Sequence, residues 1–435
     1  MPKSPRAVTS TDHSSLFAKW RRRFLELGPG LITGASDDDP SGIATYSQAG
    51  AKFGFGMLWV ALFSYPLMCV IQEISARIGR VTGKGIAANC RTHFPAPVLY
   101  VIVSALLVAN IFNLGADIGA MGAAARLLLP GPFWAYVLCL GGVSLVLQVF
   151  VPYTKYVPYL KWLTVTLFAY IVTAIVVGQP KWAAIRATLW PSISFHGDYL
   201  TVLVAVLGTT ISPYLFFWQA SEEAEDVGLN AAAQPLRKAP EQAPKQFQRI
   251  RFDTLIGMAL SNVVAYFIIL TAGVTLHAHG VFDIETADQA AKALQPLAGR
   301  FAFWLFAGGI IGTGLLAVPV LAGSAAYAVG EAFHWSASLQ KKPPDAAKFY
   351  GTIAVATLIG LLLNFVHLNP IKALFWSAVL NGLVAVPVMV LIMLLTSRKK
   401  VMGAFTLPSY LRVFGWVATA VMLAASLGMF LTLRR

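Results

Sequence analysis

Long runs of apolar residues, each about as long as a bilayer is thick, dominate the pattern of hydrophobic and polar positions along the chain. A membrane-spanning helix needs about 20 predominantly apolar residues. We predict eleven such spans, over residues 26–48, 55–78, 98–125, 132–150, 159–178, 199–219, 252–275, 300–332, 349–366, 371–396 and 411–432. The pattern therefore predicts an all-α integral membrane protein.

The polar connections between these runs differ in charge, and the difference predicts the orientation of the chain. Lys and Arg concentrate in alternate connections, such as those at 77–91, 237–251 and 398–400. Loops rich in Lys and Arg usually stay in the cytoplasm, whereas the connection at 283–288 is acidic. We therefore expect a multi-pass protein of the cell membrane, such as the bacterial inner membrane, with a cytoplasmic N-terminal tail over 1–24.

Composition supports the membrane assignment and excludes several other classes of protein. Hydrophobic residues make up 57% of the chain and charged residues 12%, while a soluble domain would carry about 25% charged residues. The net charge of +14 does not indicate a nucleic-acid partner, because the basic residues cluster between apolar runs. The three cysteines form no CxxC pair and predict no thiolate metal site. We expect the lipid bilayer as surroundings, no cofactor and no obligatory protein partner.

The first span is interrupted by polar residues at its centre. In order, these are Asp37, Asp38, Asp39, Pro40, Ser41 and Gly42. One Asp at the centre of a span costs about 2.5–3.5 kcal/mol, so three must face water, a cation or backbone donors. The proline removes an amide donor and the glycine makes unwinding easy. An exterior loop between two short helices is the alternative interpretation of 37–42.

The sixth span repeats this pattern, since Thr209 and Ser212 precede Pro213 at its middle. Each break starts a unit of five spans, and an odd number of spans gives the two units opposite topology. We predict a first inverted repeat over 25–180 and a second over 199–396, which contains a cytoplasmic loop at 220–250 and is followed by a last helix at 411–432. Interrupted helices in corresponding positions point to the binding site of a transporter, where freed carbonyls coordinate cations. The sequence therefore predicts a cation site formed by the three aspartates, Thr209 and Ser212, with helix breaks at Pro40, Ser41 and Pro213.

Several motifs resemble those of one transporter family. They are Asp39-Pro40-Ser41-Gly42-Ile43-Ala44-Thr45, Ser75-Ala76-Arg77-Ile78-Gly79, Val81-Thr82-Gly83-Lys84-Gly85 and Leu207-Gly208-Thr209-Thr210-Ile211-Ser212-Pro213-Tyr214. The first is similar to the DPGN helix of the Nramp divalent-metal transporters, and the last to their sixth-helix motif. This resemblance implies a leucine-transporter-type 5+5 inverted repeat with an eleventh helix, metal import by alternating access, and Asp39 in the place of the metal-binding aspartate.

The departures from the family pattern affect the predicted ion and its coupling. Gly42 stands where the family has an asparagine, and Ser212 where it has a metal-binding methionine. Loss of a thioether favours Mg²⁺, Ca²⁺ and Mn²⁺, which prefer oxygen ligands. Tyr214 and Gln219 replace histidines that are linked to proton movement, and Leu114 replaces an aspartate. The chain thus resembles the Nramp-related magnesium transporter branch, which is reported to carry Mg²⁺ without proton coupling.

Other polar residues have two open interpretations. The hydroxyls of Thr209 and Ser212 either face the ion or bond back to the preceding turn, and one aspartate either binds the ion or caps the second half-helix. Glu222 and Glu223 mark either a solvated acidic loop or a cation exit vestibule. The candidates for an outer shell or a pathway are Gly42, Asn113, Asp117, Tyr214, Gln219, Asn381, Glu222 and Glu223.

These observations predict a secondary transporter, not an enzyme, whose substrate is a divalent metal cation. We expect import of Mg²⁺, and also Mn²⁺, without proton coupling. One alternative is a proton-coupled Mn²⁺ or Fe²⁺ importer of the Nramp type. An alternative from another class is a Mg²⁺-dependent intramembrane enzyme such as a polyprenyl transferase, which would need two aspartate-rich motifs on facing helices. An amino-acid transporter of the same fold is a third, although three adjacent aspartates would repel a substrate carboxylate.

Overall fold

The computed structural model describes residues 33–34, 36–151, 165–178, 181–229, 233–366 and 368–433. The N-terminal tail, most of the first half of span one and the first six residues of span five (159–164) lie outside these ranges. The described part of the chain is helical and contains no strand. The helices with more than four residues are α1 Pro40–Phe53, α2 Leu58–Thr82, α3 Ile86–His93, α4 Ala96–Leu128, α5 Phe133–Phe150, α6 Phe168–Val177, α7 Lys181–Leu189, α8 Gly197–Thr210, α9 Pro213–Leu229, α10 Ala243–Thr275, α11 Ala287–Ala291, α12 Ala302–Ala332, α13 Ala347–Leu363, α14 Pro370–Ser397 and α15 Ser409–Leu433.

The helices agree with the predicted spans. Spans two to eleven correspond in order to α2, α4, α5, α6, α8 with α9, α10, α12, α13, α14 and α15. Among the described residues, nine helical segments are long and apolar enough to cross a membrane. Helices α1 and α2 together form one of these segments. Helix α6 is apolar but shorter and is not one of the nine. The predicted all-α membrane architecture is confirmed.

Both predicted helix breaks are present. Asp39 has extended backbone angles (φ −69°, ψ 169°) immediately before α1, and Ile211 leaves the helix (φ −117°, ψ 60°) immediately after α8. Pro40 and Pro213 each occupy the first position of the following half-helix, where a missing amide hydrogen costs nothing. The prediction placed the break itself at these prolines and at Ser41, whereas these residues belong to the first helical turn and the break precedes them.

The loop predicted over 220–250 is much shorter in the structure. Helix α9 continues to Leu229 and α10 already begins at Ala243. The segment after Gln219 is rich in Ala and Glu, which are strong helix formers and extend α9 beyond the apolar run. Glu222 and Glu223 are therefore helical residues and not the start of a loop.

Connections that are far apart in the sequence meet at the ends of the bundle. At one end, Arg398 Nη1 donates to the carbonyl of His93 at 2.7 Å, and Arg237 Nη1 to that of Val401 at 3.1 Å. At the other end, Lys52 Nζ lies 2.8 Å from Asp198 Oδ2. Basic connections that are far apart in sequence thus share one end, which we call the basic end.

Glycines allow close contact between the helices around the breaks. A Cβ added to Gly208 in α8 would lie 2.2 Å from the carbonyl oxygen of Ala378 and 2.4 Å from the amide nitrogen of Gly382, both in α14. Small residues at such positions let helix backbones approach closely in membranes. This contact fixes α8, and with it the sixth-span break, against α14.

We expect Gly208→Ala to destabilise the protein, because the new methyl group meets backbone atoms that cannot move aside. Overpacking of this kind costs about 1–3 kcal/mol. Gly142→Ala in α5 is a matched control, since a Cβ there meets no atom within 4 Å. Thermal unfolding in detergent should show a lower melting temperature for Gly208→Ala alone. Equal melting temperatures for the two variants would contradict the close α8–α14 contact.

Candidate metal-ion site

The two helix breaks face each other across the centre of the bundle. A Cβ added to Gly42, in the first turn of α1, would lie 3.1 Å from Thr209 Oγ1 at the end of α8. The hydroxyl of Tyr214, in the first turn of α9, donates to the carbonyl of Ser36 at 3.1 Å and lies 3.4 Å from Asp39 Oδ2. The structure therefore brings the two predicted halves of the site together.

Asp39 caps the half-helix that follows it. Its Oδ1 accepts hydrogen bonds from the amide of Gly42 at 2.7 Å and from Ser41 Oγ at 2.6 Å. Its Oδ2 accepts from Asn113 Nδ2 in α4 at 3.1 Å, beside the hydroxyl of Tyr214. A carboxylate is also favoured there by the positive end of the α1 dipole. The capping interpretation of the sequence thus applies to Asp39, which three protein donors hold at the break.

Asp37 and Asp38 face a different helix. Ser261 Oγ, in α10, lies 2.6 Å from Asp37 Oδ2 and 3.0 Å from Asp38 Oδ1. Asp37 is fully buried and Asp38 is 6% exposed. Asp37 Oδ1 has no hydrogen-bond partner among the described residues. The three adjacent aspartates therefore split, with Asp39 directed to α4 and α9 and the other two to α10.

Asp117 and Asn381 are buried polar side chains near this junction. Neither carboxylate oxygen of Asp117 and neither amide atom of Asn381 has a hydrogen-bond partner within the described parts of the chain. Asp117 lies one turn after Asn113 in α4, whose Nδ2 donates to Asp39 Oδ2. Asn381 lies one turn after Ser377, whose Oγ donates to Asn113 Oδ1 at 2.7 Å. A role of either residue in an outer shell or a pathway stays a prediction.

The electrostatics of the junction are those of a site for a cation. Four carboxylates are buried here, and no Lys, Arg or His of the described chain forms an ion pair with any of them; the four are Asp37, Asp38, Asp39 and Asp117. Burying unpaired charge is costly, so each carboxylate here either takes up a proton or is accompanied by a counter-charge such as a cation. The described residues contain no group of three or more His, Cys, Asp or Glu side chains with metal-holding geometry. A bound cation would therefore also need hydroxyls, backbone carbonyls or water as ligands.

The hydroxyl of Ser212 bonds back into α8. Its Oγ lies 2.8 Å from the carbonyl oxygen of Gly208 and 2.7 Å from that of Thr209. These carbonyls are at the C-terminal end of α8, where helical partners are missing. Of the two interpretations of Ser212, the structure therefore shows the hydrogen bond back to the preceding turn. This bond holds the hydroxyl oxygen at the break.

Gln219 connects α9 with the first half of span one. Its Oε1 accepts from Thr33 Oγ1 at 2.6 Å and lies 3.4 Å from Gln72 Nε2 in α2. The side chain that stands in place of a family histidine is therefore engaged by protein donors, as is Tyr214. These contacts join α9, α2 and the described part of the first half of span one.

A polar cavity of about 460 Å³ lies between the junction and the opposite end, and reaches Ala44 in α1. Gln48 and Lys52 of α1 and Lys372 of α14 line it. Lys372 Nζ lies 2.8 Å from Glu285 Oε1, and this hydrogen bond lowers the pKa of Glu285. Because the pKa is lowered, the ion pair persists above the ordinary pKa of a glutamate and is lost as the pH falls through the lowered value. The cavity thus lies about one helical turn beyond the start of α1, on the side of the junction away from the basic end.

A second cavity, of about 440 Å³, lies at the basic end beside α9. The hydroxyl of Tyr327 contacts Glu225 Oε2 and lies 3.1 Å from Glu222 Oε1, both in α9. Glu223 is fully buried and pairs with Arg249 Nη2 at 2.5 Å, so it is not part of a solvated loop. A role of these glutamates in an exit vestibule stays a prediction.

Comparison with known proteins places the chain in a family. A family model described as natural resistance-associated macrophage protein-like (Nramp) matches residues 30–432. The chain is 26% identical over 420 residues to the divalent metal cation transporter MntH of Klebsiella pneumoniae strain 342, a match that covers 95% of each chain.

Solved structures show the same fold. The manganese transporter of Eremococcus coleocola, in complex with an aromatic bis-isothiourea compound, superimposes with a TM-score of 0.75 at 17% identity over 98% of this chain and 88% of that chain. The inward-facing structure of Mhp1 superimposes with a TM-score of 0.54 at 13% identity over 94% and 91%. These likenesses confirm the predicted leucine-transporter-type fold with broken first and sixth helices. Because the family model covers nearly the whole sequence, the chain belongs to the Nramp family.

Proposed function

We propose that the protein is a secondary transporter that imports divalent metal cations by alternating access, with Mg²⁺ as the preferred ion and Mn²⁺ as a second substrate. The observation that carries this proposal is the group of four buried carboxylates without a cationic partner in the described chain, at the junction of two helix breaks. The names of the similar proteins, a divalent metal cation transporter and a manganese transporter, support it. They lend no support to the alternative of a membrane enzyme.

The ligand chemistry supports Mg²⁺ over softer metals. The side chains that meet at the breaks offer carboxylate, hydroxyl and amide oxygens, and Ser212 stands where the resemblance implies a methionine. Oxygen donors suit Mg²⁺ and Mn²⁺, whereas a thioether selects softer ions. Mg²⁺ also tends to keep several waters, which agrees with aspartates that turn in two directions instead of converging.

The residues of the sixth span support transport without proton coupling. Residues 197–229 contain no histidine, the side chain that titrates most readily near neutral pH. Tyr214 and Gln219, which take the histidine positions, are held by protein partners. A proton-coupled Mn²⁺ importer is the second candidate, and the unpartnered carboxylate of Asp117 favours it.

The direction of transport follows from the proposed orientation. We place the basic end in the cytoplasm, because Lys and Arg are retained on that side of a membrane. The cavity lined by Gln48 and Lys52 then opens to the outside, and the cavity beside α9 opens to the cytoplasm. An inside-negative potential draws a divalent cation inward in this arrangement.

Calorimetric titration of the detergent-purified protein tests the proposed site. We expect Mg²⁺ and Mn²⁺ to compete for one site, and Cd²⁺ to gain no advantage over Mn²⁺ because no thioether replaces the oxygen ligands. Asp117→Asn separates the two candidate functions by the pH dependence of uptake, which it should change in a proton-coupled carrier and leave unchanged in an uncoupled one. No binding of any divalent cation would contradict the proposal.

A further inference from the structure

Ser261 contacts two of the buried aspartates from a helix that has no break. It lies in the middle of α10 and is 1% exposed. Its Oγ is 2.6 Å from Asp37 Oδ2 and 3.0 Å from Asp38 Oδ1. No sequence motif singled out this residue, because its significance arises only from the packing of α10 on the first span.

A close helix contact fixes the position of this hydroxyl. A Cβ added to Gly34, one turn before the break, would lie 2.2 Å from the carbonyl oxygen of Gly257. Ser261 follows Gly257 by four residues, which is about one helical turn, and so faces Asp37 and Asp38. The two helix backbones touch at this level, where residue 34 has no room for a side chain. This contact sets the hydroxyl against the two carboxylates.

The chemistry of the contact leaves a negative charge to be balanced. A serine hydroxyl donates one hydrogen bond, so it satisfies only one of the two carboxylate oxygens beside it. Asp37 Oδ1 has no partner among the described residues, and no described Lys, Arg or His pairs with either aspartate. Two carboxylates held together in this way match the charge of one divalent cation and exceed that of a monovalent one.

We propose that Ser261 is a positioning residue of the cation site, which holds Asp37 and Asp38 side by side so that one divalent cation neutralises both. This inference rests on the proposed function and adds to it the source of the preference for divalent over monovalent cations. Partners that orient metal-binding side chains typically contribute about 10–100-fold to metal affinity. The role is distinct from that of Asp39, which other donors hold.

Titration of purified Ser261→Ala with Mg²⁺ and Mn²⁺ tests the proposal. We expect the dissociation constants to rise about 10–100-fold, while the melting temperature without metal stays close to that of the wild type. Ser261→Thr, which keeps the hydroxyl, should restore binding. Ser261→Cys keeps nearly the same side-chain size but has only a weak hydrogen-bond donor. It should therefore also bind Mg²⁺ about 10–100-fold more weakly than the wild type. This variant keeps the test decisive if Ser261→Ala folds badly.

Ser75→Ala is the matched control, since Ser75 is equally buried but its Oγ donates only to the carbonyl of Ile71 at 2.9 Å. Its affinity for Mg²⁺ should equal that of the wild type. Wild-type affinity in both Ser261→Ala and Ser261→Cys, or an equal loss in Ser75→Ala, would overturn the positioning role. Absence of binding in the wild type would instead contradict the proposed function itself.

Discussion

Asp39→Asn is expected to abolish uptake of divalent cations while leaving the protein folded. Asparagine caps a helix about as well as aspartate, so the first turn of α1 stays intact, but the negative charge at the break is gone. We expect uptake into proteoliposomes to fall by at least about 100-fold, the upper end of the effect of an orienting partner. Asp39→Ala loses the cap as well and should unfold more easily by about 1 kcal/mol.

Asn369→Ala is the control for loss of a cap. Asn369 accepts hydrogen bonds from the amides of Ile371 at 2.9 Å and Lys372 at 3.1 Å and so caps α14 away from the breaks. This variant should lose stability like Asp39→Ala and keep its affinity for the metal. Uptake at the wild-type rate in Asp39→Asn would remove Asp39 from the cation site.

Ser212→Met is expected to shift the preference of the site toward soft metals. The substitution places a thioether at the break, and thioethers favour softer ions over Mg²⁺. The ratio of Cd²⁺ to Mg²⁺ affinity should rise at least about tenfold, equivalent to 1.4 kcal/mol. Competition binding with both ions measures this ratio directly.

Ser212→Leu is the control for side-chain size, because leucine and methionine are similar in volume. It distinguishes the effect of the sulfur on ion preference from the effect of the added volume. It should lose the same back-bond to Gly208 without gaining affinity for Cd²⁺. The double variant Ser212→Met/Gly42→Asn is harder to interpret, because the asparagine side chain would crowd its neighbours. A Cβ at residue 42 already lies 3.1 Å from Thr209 Oγ1 and 3.3 Å from Tyr46 Cε2. If Ser212→Met and Ser212→Leu show the same ion preference, residue 212 does not face the ion.

The sequence predicts the two breaks well because their causes are local. Pro40 and Pro213 lack an amide donor, and each follows small or polar residues in an otherwise apolar run. The exact start of each half-helix is less predictable, since a proline fits the first turn of a helix as readily as it interrupts one. This is why Ser41 is helical although the pattern places it in the break.

The partners of the aspartates are not predictable from the sequence, because they depend on long-range packing. Ser261 follows Asp37 by 224 residues and Asn113 follows Asp39 by 74. The burial of Glu223 has a similar cause, since its charge is balanced by Arg249, 26 residues later and beyond the end of α9. Local composition cannot distinguish such a paired glutamate from a solvated one.

Flux into proteoliposomes that contain an internal pH dye tests the central claim most directly. A divalent cation gains about 4.6 kcal/mol per 100 mV of inside-negative potential, so this potential alone should drive saturable Mg²⁺ uptake. We expect Mg²⁺ and Mn²⁺ to enter without acidification of the lumen, and Asp39→Asn vesicles to match empty ones. Mg²⁺ uptake no faster than in empty vesicles, or acidification that accompanies uptake, would contradict an uncoupled Mg²⁺ transporter.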